Sequence, residues 1–300
     1  MATIYTHQSQ NVFKTWLLMG FFLVLIIAIG WVFSETYGNP NILYIAVILS
    51  VVINIGSYWY SDKIVVALSR AHPADANTFR ELHRSVENLA ITAGLPKPKV
   101  YIIDDPAPNA FATGRNKEHA VVAVTTGLLS VMNKNELEGV LAHELSHVGN
   151  RDILISTVAV VLAGLVTIAA DMFLHSGLRG RSRGESGGGG AIALIGLALS
   201  ILAPIAALLI RLAVSRRRES LADASGVLLT RYPEGLASAL EKIAAYTKPM
   251  QHTSNATAHL YISNPFGARA AKGLSRLFMT HPPVEERIAA LREMGDIRES

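Results

Sequence analysis

His143, Glu144 and His147 lie in the run Leu141-Ala142-His143-Glu144-Leu145-Ser146-His147, and two histidines four apart acquire a meaning only if that run is helical. On a helix, residues i and i+4 share a face, so both imidazoles can ligate a single divalent ion. Glu144, about a quarter turn round the axis, can then reach a water bound to that ion. The trio suits metal-assisted hydrolysis, with Glu144 taking the proton and later returning it to the leaving amine. A catalytic zinc of this kind needs a third protein ligand and an open fourth position. Arg218-Glu219-Ser220-Leu221-Ala222-Asp223 supplies candidates, again four apart on one face. Glu219 can complete the ligand set while Asp223 accepts the outer ring N–H of a ligating histidine and fixes its tautomer. The chain has no cysteine, so any metal must be held by His, Asp or Glu.

The elements that would position these side chains are legible around them. Asn133 is placed as an N-cap with Glu136 three residues on, and Leu137, Leu141, Leu145 and Val148 make an apolar stripe at helical spacing, away from the two histidines. Further helices are predicted over 74–93, 219–230, 233–246 and 284–294. Short β-branched runs at Val100–Ile103 and Ala120–Val124, with Asn109–Thr113 between turn-forming residues, predict a small sheet of three or four strands. The residues from Lys248 to Ala268 read as a long polar connection, either a lid or a disordered loop.

Composition says what surrounds this domain. Of 300 residues, 50% are hydrophobic and only 17% charged. The mean hydropathy is +0.33, too apolar for one soluble core. Thr15 to Ser34 carries no charge and has Trp16 and Trp31 toward its ends, as a spanning helix with interfacial anchors should; a second uncharged run, Tyr37 to Ser61, follows. Ile153–Ala170 and Ala191–Ile210 are a third and fourth apolar run, joined by a linker rich in Arg, Gly and Ser. The expected organisation is a tail (1–14), a transmembrane hairpin (15–61), the first part of a catalytic domain (62–152), a second hydrophobic pair (153–210) and the second part of that domain (211–300). Lys63 and Arg70 follow the second run whereas the first connection has no basic residue, which puts the soluble part in the cytoplasm. Arg179, Arg181 and Arg183 pull the other way if the third and fourth runs form a full hairpin. A formal charge of +4, spread along the chain, argues against nucleic acid and fits a bilayer surface.

With HELSH at 143–147, RESLAD at 218–223, THPPVEER at 280–287 and four apolar runs, the chain resembles the M48 family of membrane zinc metallopeptidases over essentially its whole length. The resemblance implies a mainly α-helical integral membrane protein with four candidate transmembrane helices and a zincin-like α+β metallopeptidase domain carrying a small sheet. It implies one Zn²⁺ per chain on His143, His147 and Glu219, Glu144 as base and Asp223 behind the ligands. His281 would lie near the metal, where it could bind the oxyanion or fill the open position at rest, and Arg287 would anchor that loop through a carboxylate such as Asp223. Asn109, Ala110 and Phe111 would pair with an extended substrate as an edge strand does. Its setting would be the bacterial inner membrane, with the site facing the cytoplasm and unfolded or misassembled membrane proteins as substrates. Competing readings are a prenyl-protein peptidase of the related Ste24 type, which usually has more spans, and a membrane chaperone with a structural zinc, for which Glu144 would be superfluous.

Overall fold

The computed structural model describes residues 4–164, 216–252, 256–267 and 282–299. Helices α1 (Ile4–Tyr37) and α2 (Asn41–Trp59) form a hairpin closed by Gly38 at φ 59, a left-handed conformation that glycine adopts without strain. Both are long and apolar enough to cross a membrane. Large side chains such as Trp16, Ile45 and Ile48 stand exposed, as lipid-facing residues must. One stripe of α1 is buried instead: Asn11, Thr15, Leu18, Met19 and Phe22, at helical spacing.

Helix α3 (Ser61–Leu68) leads into a four-stranded sheet of order β1-β2-β4-β3. Its strands are β1 (His72–Pro73), β2 (Lys99–Ile103), β3 (Ala110–Thr113) and β4 (Val121–Thr125), with β2 and β4 parallel and the other pairs antiparallel. Helix α4 (Arg80–Thr92) begins six residues later than the composition suggests. The Asp75 carboxylate accepts the backbone N–H groups of Asn77 and Thr78 and so holds a turn there.

After α5 (Thr126–Val131) comes α6 (Lys134–Gly149), which begins with a reciprocal capping box: Asn133 Oδ1 accepts from Glu136 N at 3.0 Å and Glu136 Oε2 from Asn133 N at 2.8 Å. Its apolar stripe joins the main core with the sheet, α4 and the later helices α8 (Arg216–Thr230), α9 (Pro233–Ala245) and α10 (Val284–Glu299).

Two glycines let helices approach α6 closely. A Cβ on Gly226 of α8 would lie 3.1 Å from His143 N, and one on Gly139 of α6 would lie 2.7 Å from Leu236 N at the start of α9. Because the Gly139 clash is with backbone that cannot rotate away, Gly139→Ala should destabilise. Overpacking of about 1–3 kcal/mol opposes a helix-propensity gain of roughly 1 kcal/mol. The expected readout is a melting temperature lowered by several degrees in the purified protein; an unchanged or higher value would show that α9 can shift freely.

Helix α7 (Asp152–Gly164) leaves α6 at 85°, through Arg151 at φ 58. It is the described part of the third apolar run. Its described residues are largely buried between protein elements rather than turned to lipid. Thr157 Oγ1 meets Thr113 Oγ1 at 2.9 Å on one side, while Leu154, Val158 and Leu162 pack on Leu18, Met19 and Phe22 of α1 on the other. Within the described residues it counts toward a third crossing when joined to α6 across that bend. The rest of the third run, the linker and the whole fourth run, 191–210, lie outside the described residues. Among the described residues, two helices can cross by themselves.

Candidate active site

Helices α6 and α8 bring together the residues that the spacing singles out. His143 Nε2 lies 3.3 Å from His147 Nε2 and 3.7 Å from Glu219 Oε2, and His147 Nε2 lies 3.6 Å from Glu219 Oε1. A tetrahedral ion with bonds of about 2.0–2.1 Å requires ligand atoms roughly 3.3–3.4 Å apart. The three side chains are therefore already spaced to hold such an ion, and no other group of three or more His, Cys, Asp or Glu is so placed among the described residues. Glu144, buried beside the ligands, forms part of the wall of a cavity of about 30 Å³ that also touches all three, room for a water or two.

Each histidine is oriented by a carboxylate behind it. His143 Nδ1 lies 2.8 Å from Asp223 Oδ1, and Asp223 in turn accepts from Arg287 Nε at 2.9 Å and Nη2 at 2.7 Å. Burial alone would raise the Asp223 carboxyl, but the His143 hydrogen bond and the Arg287 charge outweigh it and hold it at about 2. His147 Nδ1 donates to Asp152 Oδ2 at 3.0 Å. Burial would lower the His147 imidazole; the Asp152 hydrogen bond and the charges of Glu219, Asp152 and Glu144 prevail and raise it to about 9 in the metal-free protein. Arg287, buried in α10, thus reaches Asp223 as expected, whereas His281 lies outside the described residues.

Three features of the site were not read from the sequence. Asp152 is the first residue after the bend, five positions past His147, and its charge at the head of an apolar run was the available signal. Arg218 joins the cavity wall, with Nε 3.9 Å from Asp152 Oδ1. His259, which has no ligand spacing, is buried in the same wall.

The connection after α9 is neither open loop nor strand. Residues 256–263 lie along the outer edge of β3: Ile262 N donates to Ala110 O at 2.9 Å, Asn109 Nδ2 to Ser263 O at 3.0 Å, and Ser263 N to Asn109 Oδ1 at 3.2 Å. Phe111 meets Tyr261 edge to face at 5.1 Å. Asn109, Ala110 and Phe111 are thus engaged by the chain itself. The next residue whose backbone points away from β4 is Ala112, which lines the cavity.

Comparison with known proteins agrees with this geometry. The family model described as peptidase family M48 matches residues 76–295. The chain belongs to peptidase family M48. Its M48 relatives include two proteins named Protease HtpX homolog. The one from Caldanaerobacter subterraneus subsp. tengcongensis is 48% identical, and the one from Thermoanaerobacter pseudethanolicus 50%; each match covers 97% of this chain and 98% of the relative. The crystal structure of S. mikatae Ste24p shares the fold at TM-score 0.50 and 21% identity, covering 96% of this chain and 66% of that longer one. As an M48 member with two helices long and apolar enough to cross a membrane, the chain is a membrane metallopeptidase.

Proposed function

We propose that the chain holds one zinc ion on His143, His147 and Glu219 and uses it to cleave damaged or misassembled membrane proteins at the cytoplasmic face of a bacterial inner membrane. The observation that carries this reading is the spacing of two imidazole nitrogens and one carboxylate at tetrahedral separations beside a buried glutamate. When bound, zinc would supply Lewis acidity, polarising the scissile carbonyl and acidifying water. The other roles belong to side chains. Glu144 takes the proton from the attacking water and passes it to the leaving amine. Asp223 and Asp152 hold the outer N–H groups of the two ligating histidines, keeping Nε2 of each turned inward. Arg287 compensates the buried Asp223 charge, and His281 serves the oxyanion. An extended substrate pairs with β3 beyond the part already covered, at Ala112, so affinity comes from main-chain bonds and sequence selection is weak.

The catalytic domain is built from the segments 62–152 and 211–300, and the family match at 76–295 runs through both. Lys63 and Arg70 after α2, against the uncharged turn at Gly38–Pro40, support a cytoplasmic domain. The HtpX homologues match nearly end to end, whereas the chain covers only two thirds of Ste24p, which favours quality control over prenyl-protein processing.

Elemental analysis of protein purified in detergent should find about one zinc per chain. Chelation should abolish cleavage of an unfolded protein, and added zinc should restore it. Full cleavage by metal-stripped protein would overturn the reading.

A further inference from the structure

The buried stripe of α1 is apolar at Leu18, Met19 and Phe22 but begins with an amide. Asn11 is 4% exposed, and its Nδ2 donates to Asp152 Oδ1 at 2.7 Å and to Asn150 O at 3.2 Å. The other oxygen of Asp152, itself 4% exposed, accepts from His147 Nδ1. An unbroken chain of hydrogen bonds therefore runs from the first membrane helix, through one carboxylate, to a metal ligand. Packing alone would be served by another Leu, since a buried amide costs desolvation unless each of its groups is partnered. Here both amide hydrogens have acceptors, and their directions matter. Asp152 Oδ1 also has the Arg218 guanidinium 3.9 Å away. By occupying Oδ1 from the α1 side, Asn11 resists rotation of the carboxylate toward Arg218 and leaves Oδ2 aimed at the imidazole.

We propose that Asn11 is a positioning residue of the metal centre: acting through Asp152, it fixes the ring of His147, so that the membrane helix is a working part of the site as well as its anchor. This rests on the metal-binding reading given above. Groups that orient a metal ligand from behind typically change metal affinity by about 10–100-fold when removed. Gln8, one turn earlier on α1, provides the comparison, because its Nε2 donates to Gly149 O at 2.7 Å and thus ties α1 to the same helix end without touching Asp152.

The test uses the full-length protein in detergent at about pH 9.5, where protons no longer compete with metal for His147, with cobalt and zinc affinities measured by chelator competition and the metal-free melting temperature as a check on folding. Asn11→Leu, which fills the same space without a donor, should weaken metal binding by about 10–100-fold and alter the visible spectrum of the cobalt form. Asn11→Ala carries the same expectation should the leucine variant not fold. Asp152→Asn should weaken binding comparably, and adding Asn11→Leu to it should cost little more, as coupled residues do. Gln8→Ala should lower the melting temperature yet keep affinity within about threefold, well short of that range. The inference is overturned if Asn11→Leu binds metal like wild type, if its effect multiplies in full with that of Asp152→Asn, or if Gln8→Ala is equally damaging. Wild-type protein that takes up neither metal would overturn the metal reading itself, and this inference with it.

Discussion

Glu144→Gln should lower the rate of substrate cleavage by about 10²–10⁴-fold while leaving metal content at the wild-type level. The amide has the size of the carboxylate and fits the same buried position on α6, but it cannot accept a proton. The ligand separations involve His143, His147 and Glu219 only, so the ion-binding geometry does not depend on this side chain. Rate and metal load should therefore separate: a metal-replete protein, folded as the wild type is, that turns over hardly at all. Single-turnover cleavage alongside elemental analysis of the same preparation checks this. Retention of more than about a tenth of the rate, far outside that range, would mean that another group moves the proton, and His259 in the cavity wall would be the next residue to vary.

The second large effect is on pH. Metal needs a neutral His147, whereas the metal-free protein holds that imidazole at about 9. Protons compete with metal below that value, so apparent affinity should rise about tenfold per pH unit through neutrality and level off above pH 9. At pH 7 binding would be roughly a hundredfold weaker than on the plateau. The sign for stability is opposite. A pKa raised on folding stabilises the metal-free protein below the ordinary histidine value of 6.5, and that contribution fades as pH climbs through about 9. Asp223, held at about 2, stays ionised throughout this window and adds no slope. Chelator competition from pH 6 to 9.5 measures the effect, and Asp152→Asn should flatten it because the dominant raising contact is gone. A flat wild-type profile between pH 6 and 8 would show that His147 is already neutral there.

What could be read from the sequence was whatever a single element encodes. The capping box at Asn133 and Glu136, the stripe of α6 and the spacing of its histidines are local, and the structure has them in place. Glu219 and Asp223 were legible because they repeat the same four-residue spacing on another helix. Asp152 was not, because its role depends on Arg151 adopting a positive φ that turns the chain through 85° and back toward His147. Asn11 was beyond reach for a related reason: its partner lies 141 positions away, and nothing near it marks which face of a membrane helix meets protein. The segment 256–263 looked irregular because its backbone bonds to β3 and its flank come from two adjacent residues, Ile262 and Ser263, too few to leave a strand-like alternation of residues.

The junction between α1 and the catalytic helix also sets an altitude. Asn11 touches the end of α6, and Trp16, the aromatic residue suited to the headgroup layer, is five residues further along α1, about 8 Å at helical rise. On the proposed membrane placement, the reaction centre would thereby be held within roughly a nanometre of the lipid surface. A substrate would then have to bring its scissile bond down to this level. On the proposed reading, loops skirting the bilayer and spans slipping out of it would come within range, while well-folded domains riding higher would stay clear.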